Sequence, residues 1–130
     1  SYGLAPFIQD AAVAALENDQ ATAETIREAM MRRREVLVDA LRDVSGVRLF
    51  SAEGGMFVVL DIRDLPLTGP DFANGLLDRY GVAVLPCDGF GPSGAGLLRV
   101  SLCVSKDKLV VAAERIVEYV ETVLGVTDKN

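Results

Sequence analysis

The amino-acid sequence predicts a two-layer α+β domain, with helices packed on one face of a small, mainly antiparallel sheet. Long helical patterns lie at both ends of the chain, and short apolar runs typical of strands lie between them, in two pairs separated by one helix. The 130 residues suffice for one domain, and 50% of them are hydrophobic, which is enough for a core. We divide the chain into leading helices (1–46), an α/β sandwich (47–124) and a tail (125–130).

The leading region predicts two helices. Residues 6–16 carry apolar side chains at helical spacing, and residues 17–20 favour a break. A second helix follows, with Thr22 as its predicted cap and an apolar stripe that runs from Ile26 to Val44. Residues 32–34 are all arginines, but three successive helical residues fan over about 200 degrees, which favours a solvated surface over a binding patch.

The sandwich region predicts four strands, at 47–50, 56–61, 82–86 and 97–102. A helix between the two pairs starts near Pro70 and ends at Gly81, and the last helix follows Ser105 as its cap and ends at Gly125. Four residues of the middle helix are expected to face the core: Phe72, Leu76, Leu77 and Tyr80.

Composition and charge exclude several classes of function. The net charge of −6 argues against a nucleic-acid partner, and no apolar run reaches the roughly 20 residues of a membrane helix. The sequence lacks histidine, which excludes a histidine-ligated metal site and a histidine-based triad, and we predict no metal site.

Cys87 and Cys103 are expected to be free and buried. The first residues lack the positive charge of a signal peptide, so we expect a cytoplasmic protein, and their lack of Met suggests a fragment.

The stretch "GFGPSGAG", residues 89–96, contains four glycines. It lacks the lysine of a phosphate-binding loop, and a strand rather than a helix follows it. Two interpretations stay open: a flexible connection between strands, or a loop that must come close to a ligand or a neighbouring domain.

Arg99 interrupts an apolar strand, "LLRVSL", in which Leu97, Leu98, Val100 and Leu102 indicate burial. An unpaired guanidinium in a core costs several kcal/mol, so Arg99 requires an anion. That anion is either a structural carboxylate, for example Asp61 or Glu53, or an external ligand. The residues alone do not favour one over the other.

Three pieces of the sequence, taken together in their order, resemble a known family. "GGMFVVLDI" (54–62), "GVAVLPCDGFGPSGAGLLRVSL" (81–102) and the closing amphipathic helix are similar to the C-terminal small domain of class I/II aminotransferases, the pyridoxal-phosphate enzymes of the aspartate aminotransferase fold. The opening "SYGLAPFIQDAAVAAL" resembles the segment that leads into that domain. "FIQDAA", "GGMFVVLDIR" and "FGPSGAG" also resemble the arginine–pyruvate transaminase branch.

The resemblance implies roles for particular residues. Arg99 stands where the family binds the α-carboxylate of its amino-acid substrate, and we favour this role over the structural ion pair. Phe57 becomes a candidate wall of the substrate pocket. Ser1, Tyr2 and Gly3 fall where the family has residues near the dimer interface and the partner subunit's cofactor, which makes Tyr2 a further candidate.

The same resemblance implies a missing catalytic part. The family forms a Schiff base between a lysine and pyridoxal phosphate, but Lys106, Lys108 and Lys129 lie in none of the resembling motifs. In the family that lysine and most of the cofactor site belong to the larger, preceding domain. We therefore expect no catalytic residue here, an inactive fragment, amino-acid and 2-oxo-acid substrates, and a homodimeric full-length enzyme. The alternative is a free-standing regulatory module that binds amino acids.

Overall fold

The computed structural model describes residues 3–51 and 53–125. This part of the chain contains two helices, a strand pair, a helix, a second strand pair and a last helix, as the sequence predicts. The helices are α1 (Pro6–Asn18), α2 (Gln20–Leu41), α3 (Gly69–Tyr80) and α4 (Lys106–Leu124), and the strands are β1 (Arg48–Phe50), β2 (Phe57–Asp61), β3 (Leu85–Pro86) and β4 (Leu97–Ser101).

The four strands form one antiparallel sheet in the order β1-β2-β4-β3. The predicted α+β class and the antiparallel sheet are therefore confirmed. The third strand is shorter than predicted, because only Leu85 and Pro86 of the expected 82–86 pair with β4. The glycine-rich segment between β3 and β4 is more regular than expected, since it contains two 3-10 helices, Cys87–Phe90 and Pro92–Gly94.

The hydrophobic core lies between one face of the sheet and the helices. Val58 and Leu60 of β2 and Leu98 and Val100 of β4 point into it, and each is at most 4% exposed. The helices cover them with a set of fully buried apolar side chains: Leu37, Leu41, Phe72, Leu76, Leu109, Ile116 and Val120. Burial of one such side chain contributes about 1.5–3 kcal/mol, so this layer dominates the stability of the fold.

An aromatic cluster joins α3 to α4. The ring of Tyr119 lies 4.8 Å from that of Phe72 and 5.6 Å from that of Tyr80, measured between centroids. Gly75 makes room for it, since a Cβ at that position would lie 2.0 Å from the Tyr119 hydroxyl. Burial raises the pKa of this phenol above its usual value. Tyr119 is a core residue that the sequence analysis did not identify.

The helix ends confirm three of the predicted signals and correct one. Ser105 caps α4, since its hydroxyl accepts a hydrogen bond from the Lys108 N–H at 3.4 Å. Gly81 and Gly125 end α3 and α4 in the left-handed conformation. The prediction of Thr22 as the cap of α2 was wrong: Asp19 is the cap, and its carboxylate accepts from the Thr22 N–H at 3.1 Å.

Apolar side chains of the two leading helices remain uncovered. Helix α1 has no buried residue, and its Phe7 and Leu16 are 73% and 77% exposed. Ile26, in the predicted stripe of α2, is also exposed, as is Leu77 of α3, which was expected in the core. Only the second half of α2 packs on the domain, with Leu37 and Leu41 in the core.

Two further expectations about single residues need correction. The three consecutive arginines do not form a uniformly solvated surface, because Arg33 is half-buried and donates a hydrogen bond to the Leu102 carbonyl at 3.0 Å. Both cysteines are free, but neither is fully buried: Cys87 is intermediate and Cys103 is exposed.

Candidate substrate-carboxylate site

The face of the sheet that points away from the helices carries the candidate site. Successive strand residues point to opposite faces, so the residues between the core positions share this open face: Arg48, Phe50, Phe57, Val59, Asp61, Leu85, Leu97, Arg99 and Ser101. Several of these side chains are apolar and exposed, with Phe50 at 51% and Leu85 at 42%. A solvated sheet face is normally polar, so this one is suited to being covered by other groups.

Arg99 lies in the middle of the open face. In the sheet register it stands directly opposite Val59 of β2 on one side and Leu85 of β3 on the other. The side chain is half-buried and does not enter the core, which corrects the expectation drawn from its apolar strand. Leu98 and Val100 occupy the core instead, because the strand alternates its side chains between the two faces.

The carboxylate nearest to Arg99 in the register, Asp61, has other partners. Its Oδ1 accepts hydrogen bonds from the Arg63 backbone N–H at 3.0 Å and from Arg63 Nε at 2.9 Å, and Arg63 Nη2 donates to its Oδ2. Arg48 adds an ion pair at 3.7 Å. The Arg63 hydrogen bonds hold the pKa of the Asp61 carboxyl below its usual value, although burial acts in the opposite direction.

Arg99 therefore lacks the structural ion pair that we considered. Asp61 belongs to Arg63 and Arg48, and among residues 3–51 and 53–125 neither Glu53 nor another carboxylate forms an ion pair with Arg99. The Asp61 cluster itself was missed at the level of sequence. Its signal was the spacing "DIR", which places Asp61 and Arg63 two residues apart at the end of a strand.

The end of the glycine-rich segment supports this cluster. Gly96 has a φ of +72°, and a Cβ there would lie 2.6 Å from Arg63 Cγ. Its carbonyl accepts a hydrogen bond from the Ile62 N–H at 3.0 Å. Gly96 thus lets Arg63 pack across the start of β4 and reach Asp61, so at least this glycine is required for close approach within the domain.

The Phe57 ring contacts the Arg99 guanidinium. The Arg99 Cζ atom lies over the Phe57 ring, 4.9 Å from its centroid. Phe57 is 39% exposed, and it also borders a groove of about 360 Å³ between the first half of α2 and the turn before β2. Met30, Met56 and Leu102 are among the apolar residues that line this groove. The ring therefore contacts the guanidinium and also lines an apolar groove.

The open face offers no lysine for a Schiff base with pyridoxal phosphate. The nine open-face positions include no lysine, and Lys106 and Lys108 lie in the exposed first turn of α4. In the described ranges, no group of His, Cys, Asp or Glu side chains is arranged to hold a metal ion. None of the helices placed in 3–51 and 53–125 is long and apolar enough to cross a membrane. Ser1, Tyr2 and Lys129 lie outside the described residues.

Comparison with known proteins decides the family. The family model for aminotransferase class I and II matches residues 3–116. The chain belongs to this family. Arginine–pyruvate transaminase AruH of Pseudomonas aeruginosa is 44% identical over 124 residues, which cover 95% of this chain and 32% of that protein. An aspartate aminotransferase of Pyrococcus horikoshii is 29% identical and matches over 91% of this chain and 31% of its own length.

Solved aminotransferase structures share the fold. The crystal structure of an aromatic aminotransferase from Pyrococcus horikoshii superposes with a TM-score of 0.82 at 31% identity, over 93% of this chain and 32% of that one. The chain thus spans about a third of the length of the aminotransferases that it matches. The predicted resemblance to class I/II aminotransferases is confirmed.

Proposed function

We propose that this chain is the domain of a pyridoxal-phosphate-dependent aminotransferase that binds the substrate carboxylate, in an enzyme that transfers an amino group from an amino acid to a 2-oxo acid. The observation that carries the proposal is the state of Arg99. It lies on the open face of the sheet and has no carboxylate partner in the described residues, while the neighbouring Asp61 is held by Arg63 and Arg48.

The chemistry of a guanidinium suits this role. Its planar fork matches a carboxylate with two parallel, charge-assisted hydrogen bonds. Amino acids and 2-oxo acids both carry that carboxylate, so Arg99 can bind the substrates of both half-reactions. The half-buried position reduces the screening of the charge by water, which strengthens the attraction for an anion.

The rest of the active site would come from the remainder of the enzyme. The relatives are about three times as long as this chain, and the described residues offer no lysine beside Arg99. We therefore propose that the Schiff-base lysine and most cofactor contacts belong to another domain, and that this chain alone does not transaminate. The uncovered apolar residues of α1 and of the open face would pack against that domain, in a cytoplasmic homodimer.

Kinetics of the full-length enzyme test the role of Arg99. Arginine and pyruvate are the first substrates to assay, because they are the pair named for the 44%-identical relative. We expect Arg99→Ala to lower kcat/KM for an amino acid on the order of a hundredfold, since each lost charged hydrogen bond is worth about 1.5–3 kcal/mol. Arg99→Lys should recover only part of the loss, because an ammonium cannot form the fork.

Two controls separate binding from stability. The corresponding amine without a carboxylate should react equally well with wild type and Arg99→Ala. Arg42→Ala, which removes an exposed arginine paired with Asp39, should leave both substrates unaffected. If Arg99→Ala slows the amine and the amino acid equally, Arg99 does not bind the carboxylate.

A further inference from the structure

The Arg99 guanidinium packs on an aromatic ring, although β2 also carries a carboxylate close to it in the sheet. Val59 of β2 lies directly opposite Arg99. Phe57 and Asp61, two residues before and after Val59, therefore lie diagonal to Arg99 on the open face. Asp61, on one side, is bonded to Arg63. Phe57, on the other side, lies under the guanidinium.

We propose that Phe57 is a positioning residue for Arg99: its ring holds the guanidinium on the open face and leaves the N–H donors available to a carboxylate. This inference rests on the proposed function, in which Arg99 binds the substrate carboxylate. It gives Phe57 a role beyond that of a pocket wall.

The geometry supports a cation–π interaction. The distance of 4.9 Å from Cζ to the ring centroid is inside the limit of about 6 Å within which a ring face attracts a cation. Diagonal pairs on an antiparallel sheet are within reach of long and aromatic side chains. The sheet register therefore fixes the ring beneath the guanidinium, and the contact does not depend on a mobile loop.

An aromatic ring can orient an arginine side chain without using its N–H hydrogen-bond donors. A guanidinium has five N–H donors, and a carboxylate partner uses two or more of them, as Asp61 does with Arg63. The Phe57 ring accepts none of them in a conventional hydrogen bond. Arg99 makes no side-chain hydrogen bond or ion pair to any residue in 3–51 or 53–125, so its charge and its donors remain available for a ligand.

Orientation before binding should raise affinity for the carboxylate. A free arginine side chain samples many rotamers, and ordering such a side chain on binding opposes association. A ring that already restricts those rotamers removes part of that loss. The effect should appear with every carboxylate substrate and disappear when Arg99 is absent.

The test uses the full-length enzyme and the ratio of kcat/KM for an amino acid to kcat/KM for its decarboxylated amine. Phe57→Leu should lower this ratio about two- to fivefold, which corresponds to the strength of an exposed cation–π contact. Phe57→Tyr keeps a ring and should retain the wild-type ratio. Phe50→Leu is the matched control, because Phe50 lies on the same face and makes no ring contact with Arg99 among the described residues.

A double-mutant cycle completes the test. In an Arg99→Ala background, Phe57→Leu should not change the ratio further. If Phe57→Leu slows the amine as much as the amino acid, or if Phe57→Tyr fails to restore the ratio, Phe57 does not position Arg99. If Arg99→Ala itself leaves the ratio unchanged, the proposed function fails, and that result is distinct from a failure of Phe57 alone. Should Phe57→Leu not fold, Phe57→Met replaces it in the same cycle.

Discussion

The two faces of the sheet use the same strands for different purposes. On the helix-covered face, Val58, Leu60, Leu98 and Val100 are almost completely buried and pack into one apolar core. On the open face, the alternate residues of β2 and β4 include Phe57, Asp61 and Arg99, and the neighbouring strands add the exposed Phe50 and Leu85. The comparison shows that the core face supplies most of the buried apolar contacts, while the open face, in our proposal, presents Arg99 to a ligand.

Arg99, on the open face, and Arg63, which follows β2, are in opposite states. Arg63 is bonded to buried Asp61 and contributes to the structure of the domain. Arg99 rests on an aromatic ring, and no described carboxylate neutralises it. Arg63 thus stabilises the domain, whereas Arg99, in our proposal, binds a ligand.

The largest expected difference between the faces concerns leucine truncation. Leu98→Ala opens a cavity in the core and should lower the free energy of unfolding by about 2–5 kcal/mol. Leu85→Ala removes the same atoms from the open face, where the side chain is 42% exposed, and should cost less than about 1 kcal/mol. Urea unfolding of the 130-residue chain measures both. Equal losses would mean that the open face is packed as tightly as the core.

Asp61 should make stability depend on pH in the acid range. Its pKa is lowered in the folded state, so its contribution is complete above about pH 4, the ordinary aspartate range, and is lost as the pH falls through the folded pKa. Asp61→Asn should cost about 1–3 kcal/mol at neutral pH, and the difference from wild type should shrink in acid.

Asp64→Asn is the control for this titration. Asp64 forms an exposed ion pair with Arg48 at 3.3 Å, which is worth less than about 1 kcal/mol. A difference between wild type and Asp61→Asn that stays constant from neutral pH to below pH 3 would contradict the role given to the Asp61 carboxylate.

Gly96→Ala should lower the free energy of unfolding by a smaller amount than Asp61→Asn. The left-handed φ of +72° opposes any side chain by about 1–2 kcal/mol, and the new Cβ would press on Arg63. Gly89→Ala, where a Cβ would meet open space, should change stability by less than about 0.5 kcal/mol. Thermal melts of the two variants make the comparison, and equal melting temperatures would show that Arg63 does not need Gly96.

The smallest effect on stability is expected on α1. Phe7→Glu combined with Leu16→Glu should change the free energy of unfolding by less than about 0.5 kcal/mol, because both residues are largely exposed. The same pair should reduce self-association of the 130-residue chain at high concentration, measured by sedimentation, since it removes apolar surface. Gln9→Glu adds a charge to α1 without removing an apolar group and is the control. Unchanged association in the double variant would show that α1 is not the surface involved.

Much of the fold could be predicted because its signals are local. Ser105, Gly81 and Gly125 mark helix ends through their own backbone chemistry, and the apolar run "LLRVSL" marks β4 as a strand. The prediction of the Thr22 cap failed by three residues, because Asp19 and Thr22 are both good capping residues and sequence alone does not decide between them.

The features that could not be predicted depend on contacts distant in the sequence. Tyr119 is buried because Gly75, 44 residues earlier, leaves space for its ring. The charged part of Arg99 lies outside the core because the helices cover the opposite face of β4, where Leu98 and Val100 are buried, and that packing joins residues distant in the sequence. Asp61 also pairs with Arg48 across β1 and β2, and Gly96 before β4 leaves space for Arg63, so the cluster depends in part on residues distant in the sequence. This cluster removes Asp61 as a structural partner for Arg99.

A crystal structure of the full-length enzyme with a bound amino-acid substrate or a carboxylate analogue tests the central claim most directly. The account predicts that the α-carboxylate accepts two hydrogen bonds from the Arg99 guanidinium, each about 2.7–2.9 Å long. It also predicts that Asp61 remains bonded to Arg63 and that the Phe57 ring stays beneath Arg99. A carboxylate bound elsewhere, with Arg99 paired to an acidic side chain from another part of the enzyme, would contradict the account.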